Sequence, residues 1–100
     1  MTRKLTFDEI NRPYAVYRLF DEAGTLLYIG CSARPTRRRE KHRKKSWWPE
    51  VAPERTTLEW FANWSLATLA EYYAIAQDEP KYNCQHALVY GREGAYQNKN

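Results

Sequence analysis

Six polar side chains, Tyr17, Tyr28, Arg38, His42, Glu71 and Asn83, are spaced so that a small fold can bring them together. Tyr17 and Tyr28 lie on two consecutive strand-like runs that a hairpin sets side by side. Arg38 and His42 are four apart on a proposed helix and so face the same way. Glu71 is an isolated acid in a mostly apolar helix, either at its solvent edge or selected for a task, and Asn83 sits in the turn three residues after Pro80. Such a set suits phosphodiester hydrolysis, which needs a nucleophilic water, a group to take its proton, positive charge for the developing phosphorane and usually a metal ion. Tyrosine, with a reference pKa of about 10, is a weak candidate for that base unless cations favour its phenolate. The basic residues that follow Tyr28 could do so. Glu71 could hold Mg²⁺ or Mn²⁺, hard cations that keep several waters and ask for one or two protein carboxylates. The planar fork of Arg38 suits a phosphate.

Taken singly, each of these residues has a plainer reading. Tyr17 and Tyr28 are ordinary strand aromatics, Arg38 is one solvated arginine among many, His42 a helix-surface residue, Glu71 an exposed helical acid and Asn83 a turn former. The charge distribution favours the joint reading. The chain has 100 residues and a formal net charge of +4. Residues 34–45 hold eight of the sixteen basic side chains, Arg34, Arg37, Arg38, Arg39, Lys41, Arg43, Lys44 and Lys45, against the single acid Glu40, so this segment carries +7 and the remainder −3. A patch so concentrated attracts polyanions with strongly salt-dependent affinity, as a nucleic-acid partner requires. A nuclear-localisation or heparin-type patch has the same composition. A membrane-surface helix would need interleaved apolar residues, and residues 36–45 have none.

The elements that must position these groups follow from pattern. Residues 14–20 ("YAVYRLF") and 25–30 ("TLLYIG") read as strands joined through "DEAG". In the second, Leu27 and Ile29 share one face and Leu26 and Tyr28 the other; both are apolar, which predicts a central strand covered on both sides. "CSARP" reads as a turn, and Pro35 opens a helix that runs to about Lys45, before Pro49. That helix lacks an apolar stripe, so it would pack through arginine and lysine stems, with Trp47 and Trp48 folding back to close the core or stacking on bases. A third strand is expected at 56–61 ("TTLEWF"). A helix follows at 65–79, capped by Ser65 or Asn63, with Leu66, Leu69, Ala70, Tyr73 and Gln77 on the helical spacing and Pro80 closing it. The order β-β-α-β-α, with a short final element, makes one α/β (α+β) domain on a small, mainly antiparallel sheet.

"AVY" at 15–17 and "YIG" at 28–30 resemble the paired motifs of the GIY-YIG nuclease family, with Tyr17 and Tyr28 eleven residues apart. Arg38 follows Tyr28 by ten residues, His42 by four more, then come Glu71 in "AEYYAI" and Asn83 in "PKYN", in the family's order and approximate spacing. Ala15-Val16 stands where the Gly-Ile of the first motif would be, and Arg37 where a leucine-like residue often precedes the arginine. The resemblance implies a three-stranded antiparallel sheet flanked by helices, and metal-dependent cleavage of DNA. It further implies that Tyr17 and Tyr28 position or deprotonate the attacking water, Arg38 contacts the scissile phosphate and Glu71 binds the divalent metal. On the same ground His42 would assist proton transfer or the tyrosine network, Asn83 would organise the site by hydrogen bonds, and Gly30 would let the backbone approach closely.

The expected organisation is an N-terminal extension at 1–13, a nuclease-like domain at 14–86 and a C-terminal extension at 87–100 with a mobile end. The expected partner is DNA, contacted through Arg34, Arg37, Arg39, Lys41, Arg43, Lys44 and Lys45, with the chain acting as a monomer or a transient homodimer and a partner protein supplying specificity. A competing expectation is a nucleic-acid-binding module with hydrolysis weak or lost; a carboxylate at Glu71, which would repel phosphate in a pure binder, argues for the enzyme. Cys31 and Cys84 are far apart, and no apolar leader or spanning segment is seen, so a soluble, cytoplasmic location is expected. Cys31, His42, Cys84 and His86 could ligate zinc only without the close ligand pairs of a structural site.

Overall fold

The structure is a computed structural model that describes residues 5–83. A capping box starts the short helix α1 (Phe7–Asn11): Glu9 N–H donates to Thr6 Oγ1 at 3.1 Å and Thr6 N–H donates to Glu9 Oε1 at 2.9 Å. Strands β1 (Tyr14–Phe20) and β2 (Leu26–Ser32) then form a hairpin. Its loop is fixed by Asp21, whose Oδ1 accepts from Thr25 N–H at 2.8 Å, and by Gly24, whose φ of 91° suits a residue without Cβ. Helix α2 (Pro35–Lys41) continues as a 3₁₀ turn at His42–Lys44, and further 3₁₀ turns occupy Trp48–Glu50 and Pro53–Arg55. Strand β3 (Thr57–Phe61) and helix α3 (Trp64–Asp78) complete the described chain. The sheet is antiparallel with order β2-β1-β3, the mixed α/β arrangement expected. No helix among the described residues is long and apolar enough to cross a membrane.

Several local expectations are corrected. The central strand is β1, which buries Ala15, Val16, Tyr17 and Leu19 and so serves both faces. Apolar β2 lies at the edge, but its outer side is closed by residues 81–83. Lys81 N–H donates to Leu26 O at 3.2 Å and Tyr82 N–H to Leu27 O at 2.8 Å. The Asn83 amide makes both bonds to Ile29 that a neighbouring strand would make, accepting from its N–H at 2.8 Å and donating to its carbonyl at 3.1 Å. Strand β2 also runs on through Cys31 and Ser32, opposite Val16 and Ala15, where a turn was expected. The register shifts between Leu19 and Phe20. This bulge re-aims the side chains opposite it: Leu27 packs with the Tyr28 cluster and Leu26 with Ile29, the reverse of strict alternation.

The basic helix packs differently too. Its buried contacts are Pro35 and His42 rather than alkyl stems, and its last turn tightens where His42 N–H donates to Arg39 O and Glu40 O. Helix α3 is capped by Asn63, whose Oδ1 accepts from Leu66 N–H at 3.0 Å. It turns a stripe of Ala67, Ala70, Ala74 and Ile75 toward Val16 and Ile29, leaving Leu66, Leu69 and Tyr73 exposed. Small side chains let the helix approach the sheet closely, which the larger ones would prevent. Trp47 and Trp48 do fold back, onto the cluster of Tyr17, Leu19, Leu27 and Val51 on the other face. Residues 84–100 lie outside the described residues, and with them the end expected to be mobile and most of the segment after α3 in which a short final element was expected.

Candidate active site

Tyr17 and Leu19 point to the face of the sheet opposite Val16, as the two-residue period of β1 dictates. The Tyr17 ring leans across the cross-strand pair onto Gly30, where a Cβ would overlap its Cζ and Oη. Glycine is required there by close approach. The lean brings Tyr17 Oη to 2.8 Å from His42 Nε2, both residues being buried. Tyr28 completes the group, its ring centroid 4.7 Å from His42 and 6.3 Å from Tyr17.

Trp47 supports this group from outside. It stacks on Tyr28 at 5.3 Å and on Tyr82 at 5.4 Å, with its ring 5.7 Å from the His42 imidazole. Trp47 is thus packed against two protein rings, the arrangement of a residue that closes the core. Tyr82 is held in turn by a hydrogen bond from its hydroxyl to Glu50, which also accepts from Lys81 Nζ at 3.2 Å. Trp47→Leu should lower stability by about 2 kcal/mol and admit water beside His42. The histidine ring protons followed by NMR should then titrate at a pH well above that in the parent.

Electrostatics divide the group into buried neutral members and one exposed cation. Burial pushes the phenol pKa of both Tyr17 and Tyr28 above the ordinary value, and Arg38 only partly opposes it. The expected depression of a tyrosine pKa by neighbouring cations is thus outweighed by desolvation. Burial, then Arg38 and Lys45, lowers His42 to about 4, so it is neutral at pH 7. Glu71 lies within the sheet-facing stripe of α3, four residues from both Ala67 and Ile75, and burial raises it to about 7 against the influence of Arg38. Its charge acts on Tyr17, Tyr28 and Cys31. Arg38 is exposed, and its charge acts on Tyr17, Tyr28, His42 and Glu71.

The two tyrosines, His42, Arg38 and Glu71 therefore share one electrostatic neighbourhood, while Asn83 works from behind by holding Ile29. Residues 13–83 match the family model described as the GIY-YIG catalytic domain. The chain belongs to the GIY-YIG family. No curated protein and no solved structure matches it. As a GIY-YIG domain it is a member of a nuclease family, with DNA as the implied substrate class and metal dependence the general rule.

Among the described residues of this GIY-YIG domain, no three His, Cys, Asp or Glu side chains form a metal cluster. The donor at hand is the carboxylate of Glu71. One hard oxygen donor fits Mg²⁺ or Mn²⁺, which fill their remaining positions with water and substrate phosphate. It does not fit zinc, and burial pushes the Cys31 thiol up to about 12, keeping it protonated; Cys84 and His86 lie outside the described residues. On the basic helix, Arg34, Arg37, Lys41, Lys44 and Lys45 are exposed. Arg39 instead donates to Thr56 Oγ1 at 3.0 Å and Pro53 O at 3.4 Å, and Arg43 pairs with Glu40 at 3.0 Å. The stack of Trp47, Tyr82 and Glu50 escaped sequence reasoning, because its members come from separate loops with no shared period.

Proposed function

We propose that the protein is a metal-dependent endonuclease that hydrolyses DNA phosphodiester bonds. What supports the reading is the 2.8 Å contact between Tyr17 Oη and a neutral His42, set beside an exposed Arg38 and a half-buried Glu71. Because burial disfavours the phenolate, Tyr17 acts with its proton in place. It accepts the proton of the attacking water while passing its own to His42 Nε2, so that no free phenolate forms. Tyr28 flanks the pair and orients the water. Arg38 takes the non-bridging oxygens of the scissile phosphate, where negative charge grows in the transition state. Glu71 holds Mg²⁺ or Mn²⁺, which supplies Lewis-acid stabilisation of the phosphate when bound. Asn83 fixes β2 behind Tyr28. Arg34, Arg37, Lys41, Lys44 and Lys45 follow the DNA backbone, with Arg39 and Arg43 at the rim of that surface; selectivity beyond the patch would come from a partner protein or a second copy on DNA.

Supercoiled plasmid incubated with Mg²⁺, Mn²⁺ or chelator tests the reading. Arg38→Ala should reduce nicking about a hundredfold or more with little loss of binding. Lys44→Ala should weaken binding and lower the slope of log affinity against log salt by about one. Metal-dependent nicking that survives Glu71→Gln would sink the metal role, and binding without nicking under either metal would favour the alternative, a binding module on the same basic helix.

A further inference from the structure

Among the described residues, the sheet face that carries Tyr17 is only half covered. Cross-strand pairing makes two rows on it: Gly30, Tyr17 and Leu58, then Ser32, Ala15 and Trp60. Because the Tyr17 ring leans toward Gly30, the β3 side of its row is vacated. A pocket opens there, walled by Tyr17, Pro35, Thr36, Arg39, Thr56 and Leu58. In the next row Ala15 and Ser32 are small, and Trp60 is left 53% exposed beside them, while Leu58 is 48% exposed. Alternation puts both on the face where the core would claim them, since Thr57 and Glu59 take the other. A large exposed indole and leucine next to a reaction centre mark a contact surface.

Charge indicates the occupant. The row that holds Trp60 ends at Ser32, whose Oγ accepts from Arg34 N–H at 2.9 Å, and there the basic segment begins with Arg34, Arg37 and Arg38 all exposed. An apolar platform bordered by exposed guanidinium groups fits a ligand with flat apolar rings and regularly spaced negative charges. We infer that Trp60 and the Leu58 pocket form a subsite for an unpaired nucleobase of the strand being cut. The base stacks on the indole or enters the pocket, and its phosphates lie along the arginines. The subsite rests on the nuclease reading and narrows it: the preferred substrate has unpaired nucleotides at the cut, as at a flap, gap or loop, rather than continuous duplex.

Binding of the full chain is measured in chelator by fluorescence anisotropy, with a short oligothymidylate, an abasic chain of equal length and a duplex of that length. The parent should bind oligothymidylate about tenfold or more tightly than the abasic chain, since base–aromatic stacking is the difference between them. Trp60→Thr should bind the two alike, keep its duplex affinity and keep its salt slope, because the phosphate contacts are unchanged. Trp60→Phe should retain the preference, which separates stacking from a folding defect. Equal binding of both single strands by the parent, or an undiminished preference in Trp60→Thr, overturns the subsite. So does a shift from dimer to monomer on sedimentation of Trp60→Thr, which assigns the face to a second copy of the chain. Plasmid nicking tells the two readings apart: base preference without nicking leaves the subsite and removes the nuclease, while nicking with equal binding does the reverse.

Discussion

Glu71→Gln is expected to abolish metal-dependent nicking, by about a thousandfold or more, because on the proposed mechanism several kcal/mol of charge stabilisation at the phosphate would depend on the ion that this carboxylate would hold. The same substitution should make the protein more stable. Burial lifts the Glu71 pKa from 4.5 to about 7. Between those values the folded chain binds more protons than the unfolded chain, so stability falls as pH rises. At pH 8 the parent carries an ionised, half-buried carboxylate that the glutamine variant lacks, and the variant should gain on the order of 2 kcal/mol. Below about pH 4.5 the carboxyl is protonated in both states and the gain should vanish. Urea unfolding in chelator at pH 8 and pH 4 measures both limits. A variant no more stable at pH 8 than at pH 4, relative to the parent, would remove the buried charge from the account. Lost activity with raised stability is the signature of a functional carboxylate, since a structural one would lose both.

Gly30→Ala is the second large effect. The new methyl would occupy the position of Tyr17 Cζ and Oη, and Tyr17, 1% exposed and wedged between strands, has little room to yield. Overpacking should cost about 1–3 kcal/mol, and the displaced phenol should part from His42 Nε2. Misplacing a reacting group by about an ångström can cost a hundredfold in rate, so if Tyr17 acts as proposed nicking should fall by about that factor, while DNA binding, assigned in the same proposal to the exposed cations, stays near the parent's. Far-ultraviolet circular dichroism checks that the sheet survives. Near-parental nicking by a folded Gly30→Ala protein would separate the Tyr17–His42 contact from catalysis.

The hairpin and the basic helix were legible in sequence because their signals are local. Strand alternation over Tyr14–Phe20, turn residues at Asp21 and Gly24, and Pro35 at a helix start each act within a few residues. That local regularity also made the spacing of Tyr17, Tyr28, Arg38 and His42 meaningful. Features decided by distant contacts were not legible. The bulge at Leu19/Phe20 exchanges the faces of Leu26 and Leu27, and nothing in their identity announces it. Helix α3 shows large apolar residues on one flank and alanines on another, and closeness of packing selected the alanines. Counting cations near Tyr28 pointed to a lowered phenol pKa, whereas burial, invisible in the count, raised it. Glu71 looked like an isolated acid, and only the chosen face of α3 places it within a buried stripe. Trp60 was read only as part of a strand pattern, which does not announce that its indole is half in solvent.

The two bonds from the Asn83 amide to Ile29 join positions 54 apart in the chain. A side chain here makes the bonds of a neighbouring strand, so the hairpin's outer edge stays open until residue 83 has emerged from the ribosome. Until then Ile29 offers an unpaired N–H and carbonyl to any other extended chain. The domain is latched late, by residues 81–83: chains ending short of Asn83, or carrying Asn83→Leu, should aggregate through the β2 edge even though every described strand and helix is present.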